Sequence, residues 1–217
     1  MAGRRCGLAI RELAAVIRDH MRFHLGAIPS SPGFVPDAPW RPLRQPPAPW
    51  IENLLALPIG VVAAATVGAL WFLVTPLRDI MPAMSLPTFL LLFAGLVVVH
   101  ELIHALAHPM AGLSPRSTLG FWPSLGFYAA YDGEMSRNRL VTCLLMPLLI
   151  ISVVPLLVSA VTQVCSDWVA LVSAFNALCA CVDILLAGSV LLQIPATATV
   201  RFKSWRIYWR ERDTLAA

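Results

Sequence analysis

Residues 97 to 110 read VVVHELIHALAHPM, and within them His100, Glu101 and His104 spell H-E-x-x-H. Histidines four apart share one face of a helix and can hold a single zinc, while the glutamate between them activates water on the metal. From Ile80 to Pro115 the only ionisable residues are His100, Glu101, His104 and His108, in a stretch otherwise apolar enough for a membrane interior. Such groups are costly inside a bilayer, so they point to function. A catalytic zinc takes three protein ligands and keeps one open position. The third candidate is Asp183, the only charged residue from Trp168 to Val200. Asn176, seven residues earlier, shares its helix face about 10 Å further along the axis, where it meets substrate or packs as an interhelical polar contact. His108 lies about 12 Å along the axis from His100 on a continuous helix, too far for both to bond one zinc around His104. It reads as a polar residue at the helix end, facing substrate or supporting the ligands. Cys179 and Cys181 are conceivable soft ligands, but small buried cysteines are ordinary core residues.

These residues need elements that bring them to one depth. Of the 217 residues 58% are hydrophobic and 13% charged, and the mean hydropathy is +0.74, a membrane protein's composition. Four stretches reach the roughly 20 apolar residues a crossing needs: Leu54 to Thr75, Leu86 to His108, Leu140 to Val164, and Trp168 to Ile194. The second and fourth run in the same direction. His100 and Asp183 then both lie about 21 to 23 Å from the entry boundary, at about 1.5 Å per residue. The expected fold is all-α and integral to the membrane: four transmembrane helices, an amphipathic N-terminal helix, and room for a short cytoplasmic-side β-hairpin between the second and third.

Residues 1–28 form an amphipathic cytoplasmic arm, 29–50 an extended connector with eight prolines between Pro29 and Pro49, 51–210 the membrane domain and 211–217 a tail. The apolar stretch Leu8 to Leu25 is interrupted by Arg11, Glu12, Arg18, Asp19 and Arg22, so it reads as a surface helix and not as a removable signal. The net charge of +4 does not imply nucleic acid, because the cations flank the apolar runs. Fifteen of the sixteen Lys and Arg fall on the side that four spans give to both termini, which the positive-inside rule makes the cytoplasm. The five cysteines suggest no disulfide framework. Phe202, Trp205 and Trp209 among Arg201, Lys203, Arg206 and Arg210 read as an anchor to anionic lipid. The aromatic stretch Thr118 to Tyr131 reads first as an interfacial belt. Its alternative is an extended hairpin whose edge pairs with substrate.

The segments HELIHALAHPM, LGFWPSLGFYAAYDGEMSRNR, LVTCLLMPLL and FNALCACVDIL resemble the putative zincin peptidases, a family of bacterial membrane proteins, over about residues 51 to 210. The resemblance implies a membrane zinc peptidase, with His100 and His104 as ligands, Glu101 as catalytic acid/base, and Asp183 at the position of the aspartate that follows the family's last-span asparagine. A more distant likeness is to the site-2 proteases, whose later motif carries an Asn-Pro and an Asp-Gly. Here Asn176 precedes Ala177 and Asp183 precedes Ile184.

The function expected is hydrolysis of peptide bonds in membrane proteins or peptides, with Zn2+ as cofactor, in the cytoplasmic membrane of a bacterium. Two rival classes stand beside it. In one the chain binds zinc as a non-catalytic scaffold, for which Glu101 is dispensable. In the other it is an ion or proton transporter, against which the lack of an internal repeat speaks.

Overall fold

A computed structural model describes residues 21–74 and 85–211. The proline-rich stretch stays free of helix until Pro49, whose fixed φ and missing N–H suit a first helical turn, and there α1 (Pro49–Val74) begins. Ser85 caps α2 (Leu86–Ala107), its side-chain oxygen accepting from the Thr88 N–H at 3.3 Å. α3 (Arg137–Pro147), a π-helical segment (Leu148–Val153) and α4 (Val154–Thr162) follow one another without a break. Among the described residues, three unbent stretches are therefore long and apolar enough to cross a membrane: Pro49–Val74, Leu86–Ala107 and Arg137–Thr162.

The fourth expected span is not a single helix. It is divided at Ala180 into α5 (Asp167–Cys179) and α6 (Cys181–Gln193), bent by 51°. No proline or glycine marks this bend in the sequence; a neighbour does. Gly60 of α1 lies against it so closely that a Cβ there would stand 2.7 Å from the Leu178 carbonyl oxygen and 2.7 Å from Cys181 Cβ. The helices meet backbone to backbone where the ladder is interrupted.

The all-α expectation is also corrected, because among the described residues seven strands form two sheets. β1 (Met21–Leu25) runs parallel to β3 (Ser117–Trp122), which pairs antiparallel with β4 (Gly126–Tyr131). The second sheet has the order β2-β7-β6-β5, from β2 (Arg41–Pro42), β5 (Met135–Ser136), β6 (Thr199–Lys203) and β7 (Arg206–Arg210). The expected hairpin between the second and third apolar helices is present as β3-β4. Its third strand is Met21–Leu25, the end of the stretch expected to be an amphipathic helix; residues 1–20 lie outside the described ones. These strands are two to six residues long, and β1 and β2 find partners about a hundred residues or more away. Local periodicity carries little of such pairing.

Strands adjoin the start of α1, the end of α2, the start of α3 and the end of α6, so both sheets sit at one end of the helices. Leu43, Leu140, Val190, Ile194, Val200 and Ile207 form the core that fastens the second sheet to α3 and α6. At the end of α2 the chain turns through Met110, Ala111 and Gly112, all with positive φ. At Gly112 a Cβ would meet the Ala105 carbonyl oxygen at 2.5 Å, so only glycine closes this turn without displacing the helix end.

Candidate metal centre

One helical turn of α2 presents His100 and His104 to α6, where Asp183 stands in the first turn just past the bend. His100 Nε2 lies 3.1 Å from Asp183 Oδ2, His104 Nε2 lies 3.3 Å from the same oxygen, and the two Nε2 atoms are 3.1 Å apart. All three side chains are largely buried. Among the described residues this is the one group of three or more His, Cys, Asp or Glu side chains close enough to share a metal ion.

The hydrogen bonds behind the imidazoles decide what the triangle can hold. His104 Nδ1 lies 2.8 Å from the Cys143 carbonyl oxygen, which can only accept, so Nδ1 carries the proton. The Asn176 amide nitrogen donates to the Pro147 carbonyl at 3.0 Å and to Ser152 Oγ at 2.9 Å, which turns its Oδ1 toward His100 Nδ1 at 2.9 Å. His100 Nδ1 must then donate as well. With both Nδ1 atoms protonated in neutral rings, two Nε2 lone pairs and a carboxylate converge with no donor between them. That set calls for a cation. Tetrahedral zinc with bonds of about 2.0 to 2.1 Å would hold its ligand atoms about 3.3 Å apart, and the observed triangle matches that spacing.

Behind Asn176 the network continues into the core. Ser152 Oγ donates to the Ser173 carbonyl at 2.7 Å, Ser173 Oγ donates to the Ser152 carbonyl at 2.9 Å, and the fully buried Trp71 indole of α1 donates to Ser173 Oγ at 2.9 Å. These hydrogen bonds connect Trp71, Ser173, Ser152 and Asn176 to His100.

A cavity of about 430 Å³ opens on the triangle, lined by His100, Glu101, His104 and Asp183 together with β4 and the start of α1. β4 is an edge strand. The Asp132 N–H bonds back to the Arg116 carbonyl, so by alternation Phe127, Ala129 and Tyr131 present their backbone groups away from β3. The Ala129 N–H faces the Glu101 carboxylate.

The structure thus gathers His100, Glu101, His104 and Asp183, and it sets Asn176 as the hydrogen-bond partner of His100. His108 reaches the cavity wall, 4% exposed, with Nδ1 unpartnered and its ring 5.6 Å from that of Tyr131. Cys179 and Cys181 line the same cavity, and like Cys143 and Cys165 they are free thiols. Sequence reasoning missed Glu52, which is 3% exposed in the first turn of α1, receives Gln45 Nε2 at 3.4 Å and also lines the cavity. Its signal was present: a carboxylate two residues before the 22-residue apolar run Leu54 to Thr75.

An H-E-x-x-H helix, a carboxylate from a neighbouring helix and an edge strand beside them define a zincin-like site among helices of membrane-crossing length. Residues 93–199, which carry every one of those side chains, match the family described as Putative zincin peptidase. No curated protein and no solved structure matches the chain.

Proposed function

We propose that the protein is an intramembrane zinc metallopeptidase that cleaves membrane proteins or peptides. The observation that carries this reading is the triangle of His100, His104 and Asp183 acceptor atoms, 3.1 to 3.3 Å on a side, opening on a cavity beside Glu101 and a free strand edge. His100, His104 and Asp183 would hold the ion. Bound zinc supplies a Lewis acid that polarises a carbonyl and acidifies water.

Glu101 takes a proton from the attacking water and delivers it to the leaving amine, its carboxylate held beside the reacting atoms by the α2 turn. The scissile segment has to be extended, because a helix hides its carbonyls in hydrogen bonds. The outward backbone groups of Phe127, Ala129 and Tyr131 offer such a segment a strand to join, with Ala129 level with Glu101. His108, unpartnered beside Tyr131, faces the substrate two residues along that strand. The sheet end, with Arg41, Arg44, Arg116, Arg137, Arg139, Arg201, Lys203, Arg206 and Arg210 around it, faces the cytoplasm of a bacterial cell by the positive-inside rule.

The test is purification of wild type and Glu101→Gln in detergent, with zinc content per chain and cleavage measured together. Cleavage is read by mass spectrometry as new termini on single-span substrates carrying a helix-breaking segment. Both forms should carry about one zinc, and only wild type should produce new termini. Zinc in both with identical termini would mean a zinc-binding protein without catalysis. A wild type without zinc would remove the metallopeptidase reading.

A further inference from the structure

Pro147 ends α3 inside an apolar rod. A helical carbonyl is normally taken by the N–H four residues on. For Cys143 that residue is Pro147, which has no N–H. The next N–H, that of Leu148, goes to the Leu145 carbonyl. The Cys143 carbonyl is thus left without a helical donor in a buried setting where an unmatched polar group is costly, and the pyrrolidine ring pushes it off the helix axis. It is to this oxygen that His104 Nδ1 donates, at 2.8 Å. The carbonyl of Pro147 itself stands where α-helix gives way to π-helix, and it accepts the Asn176 amide that orients toward His100.

We propose that Pro147 is a positioning residue for the metal site: by lacking an N–H it releases the Cys143 carbonyl to lock the His104 tautomer, and through its own carbonyl and Asn176 it locks that of His100. The inference rests on the reading of His100, His104 and Asp183 as metal ligands. One proline therefore sets two imidazoles with their Nε2 lone pairs inward. In Pro147→Ala the restored N–H at 147 competes for the Cys143 oxygen and lets it swing back to the helix axis. His104 would then lose the acceptor that fixes its ring. Pro155, in the same rod, is the control, because no histidine is bonded to a carbonyl that it releases.

The experiment measures zinc affinity by competition with a chelator for wild type, Pro147→Ala and Pro155→Ala in detergent. Beside it, the imidazole nitrogens of the metal-free proteins are read by nitrogen-15 NMR after histidine labelling. The expected result is a loss of about tenfold to a hundredfold in zinc affinity for Pro147→Ala with Pro155→Ala near wild type. His104 should carry a proton on Nδ1 throughout in wild type, whatever the state of Nε2, and only in part in Pro147→Ala. Equal affinities for wild type and Pro147→Ala, or an equal loss in Pro155→Ala, would overturn the proposal and leave the site reading intact. Should Pro147→Ala fail to fold, the wild-type spectrum decides alone, since a His104 without a proton on Nδ1 contradicts the argument. A wild type that binds no zinc overturns both readings together.

Discussion

At the scale of residues, the site is a set of acceptors arranged to face one another, which is stable only around a positive charge. Asp183 contributes one corner of the triangle, with Oδ2 at 3.1 and 3.3 Å from the two imidazoles. Asp183→Ala should therefore abolish stoichiometric zinc binding, as measured by metal analysis of the purified protein. Glu101→Gln should keep the metal and reduce turnover by about a hundredfold to ten-thousandfold, the range a general acid/base contributes. Zinc loss in Glu101→Gln would show that this carboxylate ligates. His108, with its unpaired Nδ1 in the cavity wall, is the residue whose removal should touch substrate preference without touching metal. His108→Ala should bind zinc like wild type and change which side chain is accepted two residues from the cut, read from the termini released from a panel of substrates.

At the scale of elements, two close approaches position the ligands. Gly60 brings α1 onto the α5-α6 bend, where a Cβ would overlap the Leu178 carbonyl and Cys181. Gly60→Val should push the helices apart, displace Asp183 three residues past the bend, and weaken zinc binding in a chelator competition although residue 60 touches no ligand. The second approach is β4 to α2. Ala129→Pro removes the outward N–H that faces Glu101 and spoils the free edge. The expected outcome is wild-type zinc content with cleavage lost. Unchanged cleavage in that variant would show that substrate does not join β4.

At the scale of the whole molecule, an ion held by His100, His104 and Asp183 would link α2 to α6, two elements otherwise joined through Asn176 and the helices between them. Anything that binds only the folded state stabilises it, by about 2.7 kcal/mol when free ligand is a hundred times its dissociation constant. Chelation should lower the thermal midpoint in detergent and zinc should restore it, while Asp183→Ala should show no response to either.

The convergence of the candidate ligands was legible in the sequence because membrane interiors tolerate so few ionisable groups. His100, Glu101, His104 and Asp183 stood out against apolar runs, and counting residues from the span ends brought them to one depth before any contact was known. The helices of α1, α2 and the α3-α4 rod were legible for the same reason, since their length and hydropathy are local properties. The sheets were not, because β1 and β2 take their pairing from strands far along the chain, and a five-residue segment such as Met21–Leu25 keeps no period that declares it. Nor was the bend at Ala180, which no proline or glycine announces and which packing against Gly60 accompanies. What the sequence by itself determined is the chemistry available and the apolar helices that carry it, both consequences of residue type and local spacing. Only the tertiary structure decided which carbonyls face the histidines, which strand edge is left free, and where the last helix bends, because each of these depends on groups meeting from distant parts of the chain.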